Sequence, residues 1–266
     1  MTAPALVMLG HGHDEPSVQQ MATALRRRLQ QLRPALSVHV SFIDKPDHLR
    51  LLADQLVAEG RMEAACIPLD LSRAVDPDEP TLASIEALRQ SHPSLRVGIS
   101  RPIGPGTPLL NVLDERLRTA LRATHTVELD GLVLSLPRGG DVRGNALVSR
   151  RARQWSNHHH LPVVVAVGDG SGPSVVSAIS SLRGQGRRHI AVGSFFIAED
   201  EGYRFMAEMA VTTGASAVGG PIGPDDRLLE LVMARYSYAA MELLDMPDFD
   251  TPETGEADNF DLDESV

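Results

Sequence analysis

The sequence predicts an α/β protein built from two tandem copies of one module, each a small four-stranded parallel sheet flanked by helices. Three observations predict it. First, one segment recurs: residues 102–117 read PIGPGTPLLNVLDERL and residues 221–236 read PIGPDDRLLELVMARY, at a constant spacing of 119. Second, short apolar runs alternate with amphipathic stretches along the body of the chain, the pattern of βαβ units with right-handed crossovers. Third, the runs are continuously apolar, as in Val163-Val164-Val165-Ala166-Val167. Strands covered on both faces require that.

The elements follow in order. In copy one a strand, LVMLGHG (6–12), ends in a Gly-rich turn and leads into a helix over Ser17–Arg33. The strand SVHVSFID (37–44), a helix over His48–Glu59 and a strand within EGRMEAACIPLDL (59–71) come next. A third helix, the strand LRVGIS and a final helix after the first PIGP complete the copy. Copy two repeats this: LVLSLPRGG (132–140), a helix over Gly144–Trp155, LPVVVAVGD (161–169), a helix over Ser174–Arg183, QGRRHIAVGSFFI (185–197), a helix, ASAVGG and the final helix. Prolines at 102, 105, 221 and 224 punctuate the turns before the two final helices. Early elements match at a spacing near 126, later ones at 119, so copy one carries small insertions. A period above 100 residues means duplicated domains and not a solenoid. The expected organisation is a site-bearing module at 1–122, a degenerate module at 128–242 and a disordered acidic tail at 247–266.

Composition narrows the function. Hydrophobic residues make up 42% and charged residues 23%, an ordinary globular balance. No apolar run approaches the roughly 18 residues of a membrane helix, and the opening MTAPALVML has no basic leader, so no membrane and no signal peptide are expected. The lone cysteine, Cys66, can neither pair internally nor build a thiolate cluster. A cytoplasmic setting fits. The net charge of −10 is concentrated at the end: residues 247–266 hold eight acidic groups and no Lys or Arg, leaving 27 acids against 25 bases in the body. A body without a basic excess argues against nucleic acid as partner.

Ligands of such sheets bind beyond the carboxyl ends of the strands. In copy one, strand 1 ends at Gly10-His11-Gly12-His13-Asp14-Glu15, strand 2 at Asp44, and strand 3 near Asp70 with Asp76 beyond. Imidazoles and carboxylates together suit a borderline divalent metal. Copy two has no histidine at the end of its first strand and reads as a catalytically silent wall.

At these residues the chain resembles the class II tetrapyrrole chelatases, the cobalt- and iron-inserting sirohydrochlorin chelatase family, over roughly residues 5–238. The family's opening His-Gly-Ser-Arg-Asp-Pro stands here as His11-Gly12-His13-Asp14-Glu15-Pro16. Its second strand ends Phe-Leu-Glu before a Pro; here that is Phe42-Ile43-Asp44, then Pro46. Its third strand reads Pro-Leu-Phe-Leu, followed by a Gly-x-His loop and Asp-Ile-Pro. Here these are Pro68-Leu69-Asp70-Leu71, Ala74-Val75-Asp76 and Asp78-Glu79-Pro80. Copy two keeps Asp141, Arg143 and Asn145 of the degenerate second half.

The resemblance implies insertion of a divalent metal, Co²⁺ or Fe²⁺, into sirohydrochlorin or a related tetrapyrrole held between the modules. Metal is then a substrate, and no nucleotide is involved. Residue by residue, the family's metal-handling groups carry over to His11, Asp44 and Asp76. Asp76 stands where the family has His, and an ordinary Asp is a poor base near neutral pH. His13, in place of the family Ser, restores a second imidazole beside His11, and the two are the expected catalytic bases. Arg73, Arg138 and Arg143 are the expected contacts to substrate carboxylates, with Arg101 a further candidate. A two-module chain implies a monomer acting as a fused dimer. The competing readings are a non-catalytic homologue that binds metal or tetrapyrrole, and a different small-molecule enzyme on the same fold.

Two further motifs are set aside. His158-His159-His160 reads as an exposed loop before the second strand of copy two. Gly168-Asp169-Gly170-Ser171-Gly172 lacks the full dinucleotide-loop spacing, and Pro173 follows it.

Overall fold

The structure is a computed structural model describing residues 3–12 and 14–245. His13 and the acidic segment 247–266 lie outside the described residues.

Copy one runs β1 (Ala5–Gly10), α1 (Pro16–Leu32), β2 (Val38–Phe42), α2 (Pro46–Ala58), β3 (Glu63–Pro68), α3 (Glu79–Ser91), β4 (Arg96–Ile99) and α4 (Pro108–Ala123). Copy two runs β5 (Gly131–Leu136), α5 (Val142–His159), β6 (Val163–Val167), α6 (Val175–Gly184), β7 (Ile190–Ser194), α7 (Glu201–Thr212), β8 (Ala217–Val218) and α8 (Asp226–Asp245). The two four-stranded sheets are wholly parallel and share one topology, β2-β1-β3-β4 and β6-β5-β7-β8. The fold class is therefore the one the repeat and the apolar runs predict. Five of the six residues of β1 and all six of β5 are apolar and buried or are buried small residues, as two covered faces demand.

The final helices are exchanged between the copies. The helix α4, at the end of copy one, packs on β7 and β8 of copy two, while α8 packs on β3 and β4 of copy one. Glycines make room for the exchange: a side chain at Gly98 would press on Leu243 of α8, and one at Gly193 would strike Leu113 of α4 and Trp155. The repeat's closing arginines fasten it reciprocally. Arg116 donates to the carbonyl of Ile222 at 3.0 Å, and Arg235 donates to that of Pro102 at 2.9 Å. Each arginine thus grips the PIGP turn of the other copy. In consequence one hydrophobic core, including Leu6, Ile67, Leu113, Trp155 and Val232, runs through both modules, and each sheet keeps a separate core on its outer face.

The tract His158-His159-His160 corrects the sequence reading. His158 and His159 form the last turn of α5, and only His160 leaves it, in a left-handed cap conformation. The helix persists because Trp155 is a buried anchor one turn earlier and holds that turn against the core.

Candidate functional site

In each sheet the strand order reverses direction between its first and third strands, which is where a doubly wound sheet opens a crevice. The loops after β1, β3, β5 and β7 converge there. They enclose a small cleft of about 110 Å³ that opens to solvent. Its floor is apolar, with Leu9, Val40, Phe42, Leu71, Phe195 and Ile197 among its lining. The titratable groups facing it are His11, Asp70, Asp78, Arg138 and Asp200.

His11 leaves the end of β1 where Gly12, at φ +86°, turns the chain in the left-handed region. The imidazole Nε2 lies 3.2 Å from Asp78 Oδ2, and the same oxygen accepts from Arg138 Nη1 at 3.0 Å. Asp78 also caps α3, its Oδ1 accepting from the Thr81 N–H at 3.1 Å. The bond from His11 holds its carboxyl well below the usual range, against the opposing effect of burial. A carboxylate kept anionic beside an imidazole, with ligand atoms 3.2 Å apart, can share one ion with it.

Asp200, in copy two, has the same local role: it caps α7 by accepting from Tyr203 N–H at 2.7 Å. Its carboxyl moves the other way. Burial raises it, and the Glu15 charge adds to the rise.

The remaining expected residues are placed as follows. Asp44 is exposed at the end of β2 and accepts from the Gly12 N–H at 3.2 Å, so it braces the His11 turn. Copy two has the same brace in Asp169, which accepts from Gly139 N–H at 2.9 Å. Asp76 is exposed and does not line the cleft. Its N–H donates to Asp141 and its carbonyl accepts from Arg73 Nε at 2.8 Å. Arg138 lines the cleft; Arg73 lies in the loop beside it, and Arg143 is exposed on the first turn of α5. The backbone thus brings His11 and Arg138 together on Asp78, while Asp44 stands behind the His11 turn and Asp76 at the rim.

Asp70 turns the chain after β3, its Oδ1 accepting from Ser72 N–H and Oγ–H, both at 2.7 Å, and from Arg73 N–H. That turn is pinned to copy two by Asp141, which caps α5 through Gly144 and also accepts N–H bonds from Ala74, Val75 and Asp76. Burial opposes ionisation of Asp141, yet the bonds from Val75, Gly144, Ala74 and Asp76 bring it down to about 2. Glu15 does the reciprocal service. Its Oε2 accepts from Glu201 N–H at the start of α7 and from Arg204.

Two cleft residues, Asp78 and Asp200, were not among the expected site residues. The signal was present, since each opens an Asp-Glu pair at the head of the third helix of its copy. Nothing in one dimension, however, turns a helix cap toward a cleft.

A family model for CbiX matches residues 5–120, the whole of copy one up to the last turn of α4. That match spans less than half of the chain and leaves copy two outside it. No curated protein matches the chain. Among solved structures it is similar to SirB from Bacillus subtilis with Fe³⁺, at 18% identity and a TM-score of 0.71, over 93% of this chain and 100% of that one. It is similar to the cobalt complex of the sirohydrochlorin chelatase SirB from B. subtilis subspecies spizizenii, at 17% identity and a TM-score of 0.72, over the same shares. It is also similar to CbiX, the terminal enzyme for siroheme biosynthesis in denitrifying bacteria, at 15% identity and a TM-score of 0.58, over 88% and 99%. These likenesses span both modules, so the two modules together make the chelatase fold. Among the described residues His11 is the one imidazole that faces the cleft.

Proposed function

We propose that the protein inserts a divalent metal, cobalt or iron, into sirohydrochlorin or a related carboxylate-rich tetrapyrrole bound between the two modules. The observation that carries the reading is the His11–Asp78–Arg138 cluster at the mouth of an apolar cleft in a chain whose first module matches the CbiX family model. The likeness to structures described as holding Fe³⁺ and cobalt supports both metals equally.

Each part of the site has a task in this reaction. The apolar floor takes the face of the macrocycle. Arg138 keeps donors beyond the one spent on Asp78, and with Arg73 and Arg143 meets the substrate's carboxylates at the rim. His11 and Asp78 hold the incoming ion, with Asp44, Asp76 and His13 as further ligands on approach. Two pyrrole N–H protons must leave as the metal enters the ring. His11 accepts one once the metal has moved on. Asp200, on the opposite wall and biased toward its protonated form, accepts the other. One carboxylate kept anionic and one pushed toward protonation is how environment divides ligand and acid–base duties. The chain acts as a cytoplasmic monomer, its exchanged helices joining the modules as a fused dimer.

The test is the absorbance change of sirohydrochlorin with Co²⁺, Fe²⁺ and Ni²⁺. Metal-dependent turnover that falls at least a hundredfold in His11→Ala is expected. Absence of turnover with all three metals would overturn the proposal. The exposed position of Asp76 favours a second reading, a metal or tetrapyrrole carrier. Stoichiometric binding without release of metallated product would select it.

A further inference from the structure

We propose that the protein carries a second transition-metal site, remote from the cleft, formed by Asp114 of α4 with His158 and His159 of α5.

One ligand atom from each of these residues lies within 4.8 Å of the other two. Two imidazoles and one carboxylate are the donor set of a divalent d-block ion such as Zn²⁺, Ni²⁺ or Co²⁺, and not of Mg²⁺ or Ca²⁺. Bond lengths of about 2.0–2.2 Å to a common ion place such atoms about 3–3.5 Å apart, so a modest rotation of the exposed His158 ring closes the set. Water or solvent completes the shell on the open side, where Asn111, Gln154 and Thr107 rim a shallow depression.

The carboxylate is already oriented as a ligand needs. Asp114 is buried, and its Oδ1 accepts from the Nε1–H of the buried Trp155 at 3.3 Å. Its Oδ2 pairs with Arg118 at 2.5 Å, an exposed side chain that can swing aside. Outer contacts of this kind fix ligand geometry. Asp114 Oδ1 is also 2.6 Å from His159 Nε2. That ion pair accounts for His159 but not for His158, whose ring stands edge-on to His159 at a centroid distance of 4.8 Å. Both imidazoles sit at the C-terminus of α5, where the helix dipole favours a cation.

The site depends on the helix exchange, because it joins a helix of copy one to a helix of copy two. It has no twin: the corresponding positions on α8 and α1 are Met233, Leu32 and Arg33.

The experiment is Co²⁺ and Zn²⁺ titration of the full chain, by visible absorbance and calorimetry. His158→Ala and Asp114→Asn are compared with their parent in wild-type and in His11→Ala backgrounds. Loss of one metal equivalent, or at least tenfold weaker binding of it, is expected from His158→Ala in both backgrounds, together with loss of the metal-induced rise in Tm. The His11→Ala background separates this site from the cleft, so failure of the chelatase reading leaves the result interpretable. His158 is exposed, so its variant should melt like its parent without metal, which covers any folding defect of Asp114→Asn. Metal uptake unchanged by His158→Ala in both backgrounds would overturn the proposal.

Discussion

Asp78 and Asp200 cap corresponding helices of the two copies, each accepting the N–H of the third residue on, yet their carboxyls are driven in opposite directions. The bond from His11 holds Asp78 anionic. Burial and the charge of Glu15 push Asp200 toward its protonated form. Duplication supplied two equal acids, and the neighbours of each divided their chemistry.

Asp78→Asn keeps the cap, since an amide oxygen also accepts from Thr81, but removes the charge facing His11. Metal affinity at the cleft should fall by at least about 10–100-fold, the effect of losing even an outer-shell group, because an amide is a far weaker metal ligand than a carboxylate. Calorimetric titration with Co²⁺ in a His158→Ala background checks it.

Asp200→Asn also keeps its cap. A raised carboxyl makes the charged form costly in the folded state, a cost absent in acid that grows as pH rises through the ordinary carboxylate range toward the raised folded value. Removing it should leave stability above that range unchanged or higher, while chelatase turnover falls about 10²–10⁴-fold as for a lost proton acceptor. Melting curves and the sirohydrochlorin assay on one preparation test both halves.

Asp141→Ala removes a helix cap, worth about 1 kcal/mol, and strands the N–H groups of the 74–76 loop. A destabilisation of about 2–3 kcal/mol at neutral pH is expected. Because the folded carboxyl sits at about 2 and the ordinary value is 3.8, its contribution is complete above the ordinary value and is lost as pH falls toward about 2. The variant and the parent should therefore converge in stability across that window, which urea melts at a series of pH values will read.

Gly144→Ala tests the seam between modules. A Cβ there would overlap the carbonyl oxygen of Ser72 in copy one. Although Ala is the better helix former, the overlap should cost about 1–3 kcal/mol. Gly184→Ala, at the end of α6 with open space around it, should cost nothing comparable. Parallel thermal melts of the two variants make the comparison.

The line between sequence and structure runs through particular residues. The PIGP repeat and the apolar runs made the duplicated parallel α/β fold legible, because burial on both faces writes itself into every strand. The Gly10-His11-Gly12 turn was legible too, because a glycine at a strand end lets the backbone turn in the left-handed region, as Gly12 does. What tertiary structure decided was everything that depends on which module a segment meets. Periodicity gives α4 and α8 an apolar face but not the sheet that face will cover, and packing sent each to the other copy. Asp78 and Asp200 cap their helices locally, and only the meeting of the two crevices makes them cleft residues. His158 and His159 read as a solvated tract until the exchanged helix brought Asp114 beside them. Local propensity and burial act along the chain and are printed in it. Pairing between distant surfaces depends on their three-dimensional complementarity, which no window of sequence contains.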